Sequence, residues 1–212
     1  TEAILAHAAD SRPLVAIKES HGSQFEGATQ IFVYTRDLPN LFAASVATLD
    51  HLHLTVLDAR IITAENRYSL DTYIVLDEDN TQISDPARLE HIRSQLEKAL
   101  SHPDQFPTIV QKRLPRQLKH FSVKTTVNIS NDIQRQQTVL EVITLDRPGL
   151  LARIGLIFME HGVNLLNARI ATLGERAEDV FFITDRDGHP ISTPELCGKL
   201  ADALRNQLDT VN

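Results

Sequence analysis

One cysteine in 212 residues, Cys197, leaves no partner for a disulfide and too few thiolates for a metal site, which fits a protein of the reducing cytoplasm. Basic surplus is missing too. Twenty-eight Asp and Glu against 21 Lys and Arg give a net charge of −7, the wrong sign for a surface that tracks phosphates. No run approaches the roughly 20 apolar residues that cross a bilayer. Residues 1–10 lack the basic start and apolar stretch of a secretory signal. The first residue is Thr1 rather than Met, and 1–12, with Ile4 and Leu5, is expected to be the remnant of a helix continuing from upstream.

What the sequence has in quantity is itself, twice. A shift of 109 places Val33, Thr35, Asp37, Pro39, Leu41 and Ala43 on Val142, Thr144, Asp146, Pro148, Leu150 and Ala152. The same shift places Ala59, Arg60, Ile61 and Thr63 on Ala168, Arg169, Ile170 and Thr172. Beyond a turn the shift drops to 108, so that Asp71, Asp77, Asp79 and Pro86 meet Asp179, Asp185, Asp187 and Pro194. A period this long is a duplicated domain, not a solenoid unit.

In the second copy, 137–144 alternates as a half-buried strand and ends at Asp146-Arg147-Pro148-Gly149. Leu150, Leu151, Ile154, Ile157 and Phe158 then follow at helical spacing until His161-Gly162 stops them. Residues 164–172 and 178–184 form a hairpin, and Ser192-Thr193-Pro194 opens a helix with Leu196, Leu200, Leu204 and Leu208 on one stripe. The first copy repeats the order: strand 29–35, helix 41–52, strands 54–63 and 68–76, and helix 86–100.

The class is α+β, with two ferredoxin-like domains, each expected as a four-stranded antiparallel sheet with two helices on one face. Each copy so far lacks a strand. The extended runs 13–19 and 121–129 precede the copies and are expected to supply it, giving a circularly permuted β-β-α-β-β-α order. The alternative is that 121–129 closes the first domain. The domain expectation is therefore 13–104 and 121–212, joined by a linker at 105–120 rich in Pro and in Lys112, Arg113, Arg116 and Lys119.

The stretch Asp146-Arg147-Pro148-Gly149-Leu150-Leu151, with Asn164 and Asn167-Ala168-Arg169-Ile170, resembles an ACT domain. Arg36-Asp37-Leu38-Pro39-Asn40-Leu41-Phe42-Ala43 and Ala168 through Arg176 with Glu178-Asp179 extend the resemblance. They are similar to the carboxy-terminal tandem ACT region of the bifunctional PII uridylyltransferase/uridylyl-removing enzymes, over nearly the whole chain. That resemblance implies a regulatory piece which senses glutamine and sets the balance between uridylylation and deuridylylation of the PII signal protein. It implies partners in the parent's own catalytic domains and through them PII, ACT-to-ACT contacts that could make a homodimer, and no nucleic acid or membrane. Magnesium is implied for the upstream catalytic domains and no cofactor for this region. No Gly-Ser pair with closely following aspartates, as in a nucleotidyltransferase, and no His-Asp pair of a metal phosphohydrolase occurs here.

An amino acid brings a carboxylate, an ammonium and a side chain, each needing a partner once water is excluded. The start of a helix offers free N–H groups to the carboxylate, so Gly149 and Leu150 are the expected cradle. Asp146 is the expected acceptor for the ammonium, and Asn164 is expected across the same pocket, where its amide can donate and accept. In the first copy Asp37, Asn40 and Leu41 stand at the corresponding positions, with Asn40 for Gly149 and Thr55 for Asn164. The plainer reading of Asp-x-Pro-Gly is a turn and helix cap.

Arg60 and Arg169 are expected on the sheet face away from the helices, as solvated surface or a dimer contact. Asp77/Asp79 and Asp185/Asp187 read as turn residues. Two rival functions remain for testing. An RNA-binding sheet would use Phe32 and Tyr34; an acylphosphatase-like hydrolase would need Arg147 beside Asn164.

Overall fold

The computed structural model describes residues 12–20, 25–64, 67–105 and 123–209. The expected amino-terminal helix remnant, except Arg12, and the basic linker, except Gln105, lie outside the described residues. The first copy runs β1 (Leu14–Glu19), β2 (Thr29–Arg36), α1 (Leu41–His51), β3 (Thr55–Ile62), β4 (Tyr68–Leu76) and α2 (Pro86–Ser101), followed by a short 3-10 turn at Pro103–Gln105. The second runs β5 (Thr126–Asp132), β6 (Gln137–Leu145), α3 (Leu150–His161), β7 (Asn164–Leu173), β8 (Arg176–Thr184) and α4 (Pro194–Asp209).

Local chemistry sets the helix ends. Asp85 accepts from the Ala87 N–H and caps α2, whose Pro86 needs no N–H at that position. Gly162 closes α3 in the left-handed region at φ 64°, which a residue without Cβ enters freely. Asn40 precedes α1 at φ 65° just as Gly149 precedes α3 at φ 75°. Asn is among the few side chains that tolerate this angle, which is how the first copy manages without the glycine.

All eight strands join one antiparallel sheet in the order β1-β2-β4-β3-β7-β8-β6-β5. Each leading strand pairs inside its own copy, Val15 with Val33 and Val127 with Val142. The permuted β-β-α-β-β-α order therefore holds, and the alternative of β5 closing the first copy does not. The second leading strand occupies Thr126–Asp132, later than expected from 121–129. Its pairing is set by β6, whose last partner is Gln137.

The copies meet along β3 and β7, where Arg60 stands opposite Arg169 and Ile61 opposite Ala168. A bulge at Val56/Asp58 recurs at Leu165/Asn167, so the duplication extends to backbone irregularities. Behind the sheet, α1 and α3 cross closely enough that a Cβ on Gly155 would lie 2.9 Å from Ala43 Cα. Phe42, Phe158 and Phe181 pack around this crossing with ring centroids 5.2–6.3 Å apart. One buried cluster runs from Val15 through Ile31, Tyr73, Ile154 and Phe181 to Leu208, so the two copies share a core. Each fully buried large apolar side chain in it contributes about 1.5–3 kcal/mol by transfer alone. Cys197 is half-buried rather than in the core, its Sγ directed at the Ile191 carbonyl. Among the described residues no helix is long and apolar enough to cross a membrane.

Candidate functional site

Two cavities lie between the copies, each built from the loop before one copy's first helix and the end of the other copy's. Because α1 and α3 pack antiparallel, the last turn of α1 faces the start of α3. The first cavity, about 360 Å³, takes Asp146, Arg147, Gly149 and Leu150 from the second copy and Asp50, His53, Leu54 and Thr55 from the first. Its sheet side carries Ile170, Thr172, Ala177 and Asp179. The second, about 650 Å³, reverses the roles: Asp37, Asn40 and Leu41 face Gly162, Asn164 and Leu165, with Arg67, Ser69, Asp71 and Arg186. Both volumes fall in the range of about 300–1,000 Å³ usual for small-ligand sites.

This arrangement corrects the expected grouping. Asn164 does not face Asp146; it lines the cavity of the Asp37 loop, and Thr55 takes the place opposite Asp146. The sequence repeat aligns the residues of each copy but does not say that the sites are shared between copies. Nor is the Asn164 amide idle, since its Nδ2 donates to the Asp185 carbonyl at 2.9 Å and ties β7 to the end of β8. Asn40 likewise donates to Asp104 Oδ1 at 3.1 Å.

The carboxylate cradle is altered as well. The Leu150 N–H is bonded to the Arg147 carbonyl at 3.1 Å, and the Leu41 N–H to the Leu38 carbonyl at 3.2 Å. The left-handed turns at Gly149 and Asn40 close these bonds and remove the first amide of each helix from the cradle. Over Gly149 sits a carboxylate of the protein itself, that of Asp50 from α1. The cavity beyond it remains open.

Equivalent pairs of acids line the two cavities, Asp146 and Asp179 in the first, beside Asp50 and Glu78, and Asp37 and Asp71 in the second. Asp146 is held by its own N–H, bonded to the Glu175 carbonyl at 2.8 Å, and Asp37 by the same bond to Arg67. Burial raises the pKa of both; a backbone N–H at Arg147 partly offsets this for Asp146, and the Arg67 charge does so for Asp37. Deeper in, on β4 and β8, lie Asp71 and Asp179, 0% and 1% exposed. Burial pushes each carboxyl up to about 7, with the neighbouring Asp37 or Asp146 adding to the rise.

The two deep acids are held differently. Ser69 Oγ donates to Asp71 Oδ1, and Tyr73 OH donates to Asp71 Oδ2 at 3.5 Å. Asp179 Oδ1 receives only a long bond from the Ala171 N–H at 3.4 Å, and its Oδ2 is buried with no hydrogen-bond partner among the described residues. The sequence reading used Asp71 and Asp179 to align the repeats and missed them as site residues. The signal was present, because alternation around Phe181 and Ile183 points Asp179 inward.

Arg147 is not available as a phosphate-binding group beside Asn164. It is buried, its guanidinium donates to the Gln207 and Leu208 carbonyls at the end of α4, and burial lowers its pKa. Asn164 is in the other cavity, so the acylphosphatase-like pairing is not assembled. On the open sheet face Lys18 covers Phe32 at 4.8 Å and Tyr34 stacks on Tyr68 at 5.0 Å. Both rings proposed for RNA stacking thus already carry protein groups. Asp185 accepts from the Asp187 and His189 N–H groups, and Asp77 and Asp79 accept from Glu78 and Thr81, as turn residues do.

An ACT domain model matches residues 138–193. The chain is 55% identical over 209 residues to a bifunctional uridylyltransferase/uridylyl-removing enzyme of Ectopseudomonas mendocina (strain ymp), covering 98% of this chain and 23% of that protein. It is 56% identical over the same span to the protein of that name from Pseudomonas fluorescens (strain SBW25). The chain thus spans about a quarter of the length of these relatives. Among solved structures, an aspartate kinase from Synechocystis matches with a TM-score of 0.49 at 13% identity, over 88% of this chain and 27% of that one. A putative glycine cleavage system transcriptional repressor matches with a TM-score of 0.29 at 14% identity, over 85% and 91%.

Proposed function

Starting from its membership of the ACT family, as a regulatory region of the bifunctional uridylyltransferase/uridylyl-removing enzyme kind, we propose that the chain binds a free amino acid, L-glutamine, between its two copies. In the cytoplasm, occupancy would set the balance between uridylylation and deuridylylation of the PII signal protein by upstream catalytic domains. The observation that carries this reading is the composite cavity at the Asp146 loop, which joins both copies and is lined by buried acids and apolar wall. A ligand there touches α1, α3 and the sheet at once, so it favours one relative arrangement of the copies over any other. That difference in affinity is what a two-state regulatory equilibrium responds to.

Thermal melting of the protein with each of the twenty standard amino acids tests it. A site filled at about a hundred times Kd adds about 2.7 kcal/mol, which for about 200 residues raises Tm by about 5–10 °C. Glutamine should give the largest shift. If a different amino acid does so, the sensor reading stands and glutamine falls; if none moves Tm at millimolar concentration, the sensor reading fails.

A further inference from the structure

Asp179 and Asp71 occupy equivalent places in the two sheets. Asp71 lies opposite Val33 on β2 and Asp179 opposite Val142 on β6, and the residues two before and two after are equivalent too. In the first copy these are Ser69 and Tyr73, whose hydroxyls hold both carboxylate oxygens. In the second they are Ala177 and Phe181. The second copy has the acid but neither of the two hydroxyl donors.

A buried carboxylate short of donors is costly, and among the described residues the long Ala171 N–H bond to Oδ1 is all that compensates Asp179. Asp179 lines the Asp146 cavity, and its Oδ2 is buried with no hydrogen-bond partner among the described residues. We propose that Asp179 is a ligand-binding residue, the anchor for a primary ammonium group, and that the Asp146 cavity is the one that takes the amino acid. This rests on the sensor reading above and deepens it by naming the copy and the group.

The rest of the cavity fits such a ligand. Asp146 and Asp50 add acceptors around the same space, and an ammonium has three N–H donors to distribute. A metal ion fits less well. Among the described residues, the only group of three or more acids, histidines and cysteines whose ligand atoms all come within 4.8 Å of one another is Asp185, Asp187 and His189, on a turn elsewhere. The other cavity suits an ammonium poorly, since its deep acid is satisfied by Ser69 and Tyr73 and Arg67 and Arg186 line its wall.

Calorimetric titration at pH 8 with L-glutamine and with its deaminated analogue, 4-carbamoylbutanoate, tests the assignment. Asp179→Asn should weaken glutamine at least tenfold, and Asp71→Asn should change it less than twofold. Ala177→Ser restores a hydroxyl donor beside Asp179 and should also weaken glutamine while leaving the fold intact. The deaminated analogue should bind the unaltered protein no better than glutamine binds Asp179→Asn. Full glutamine affinity in Asp179→Asn, or loss in Asp71→Asn alone, overturns the assignment while leaving the sensor reading in place. If neither glutamine nor any of the other standard amino acids binds the unaltered protein, both fall together.

Discussion

Asp50 of the first copy and Gly149 of the second meet across the junction, the Asp50 carboxylate oxygen 3.4 Å from where a Cβ on Gly149 would stand. The carboxylate faces the positive end of α3, the position in which a helix favours an anion. The glycine suits the φ of 75°, while a Cβ there would meet Asp50 only at ordinary van der Waals distance. Gly149→Ala should destabilise the protein by about 1–2 kcal/mol, mostly from the left-handed backbone. Removing the neighbour in Gly149→Ala/Asp50→Ala should recover little of that loss. Urea unfolding of the four proteins of this cycle measures it; full recovery in the double variant would show that crowding and not backbone dominates.

At the middle of the sheet Arg60 lies directly across from Arg169, both exposed. Like charges in opposed positions cost about 0.2–1 kcal/mol, eased here by Asp58, on which both guanidinium groups act. Arg60→Glu turns the repulsion into attraction and should stabilise by about 0.5 kcal/mol at low salt, an advantage that fades in 1 M NaCl. An unchanged midpoint at both ionic strengths would mean that solvent already screens the pair.

Much of this architecture is legible in the sequence, because alternation, helical spacing and turn residues are local. Val33 and Val142, Pro86 and Pro194, and Gly162 each announce an element or its end within a few residues. Counting strands leaves both the permuted order and the closing of the first domain by 121–129 open, and the pairing of Val127 with Val142 decides between them. What local patterns do not encode is which loop meets which helix end across the junction, and that is why Asn164 was grouped with Asp146 instead of Asp37. Leu150 misled for another reason: the turn bond that occupies its N–H depends on the conformation of Gly149, which the letter permits but does not impose. Asp179 was visible as an inward acid, yet its meaning depends on the absent hydroxyls at Ala177 and Phe181, which only the comparison with Ser69 and Tyr73 reveals.

Stability should fall as pH rises from about 4 to about 8. Asp71 and Asp179 have folded-state pKa values near 7 against 3.8 unfolded, so the folded protein holds more protons through that interval. The favourable contribution is full below the unfolded value and is lost as pH rises through the folded one, on the order of a few kcal/mol in total. Asp146 and Asp37 shift in the same direction. Asp77 is lowered by its bond to Arg88, but its contribution is lost only as pH falls below about 4, outside this window. Asp179 also faces Asp50, Glu78, His53 and Arg147 around the cavity, so its own part is isolated by substitution. Asp179→Asn should be about 1–2 kcal/mol more stable than the unaltered protein at pH 8.5 and no more stable at pH 5. Urea midpoints at the two pH values decide it, and an equal effect at both would mean that charge is not the cause.

Gly155 gives the sharpest test of the shared core. It sits inside α3, where Ala is favoured over Gly by about 1 kcal/mol, so on propensity alone Gly155→Ala should stabilise. Against that, the new Cβ would lie 2.9 Å from the Ala43 backbone and 3.2 Å from its Cβ, and a helix backbone cannot yield as the end of a side chain can. Overpacking of this kind costs about 1–3 kcal/mol, so the clash should win and the variant should lose about 1 kcal/mol net. Since α1 and α3 also carry the two loops of the cavities, moving them apart should weaken amino-acid binding along with stability. A stabilised Gly155→Ala would mean that the helices sit farther apart than described and that the copies are not locked through this crossing.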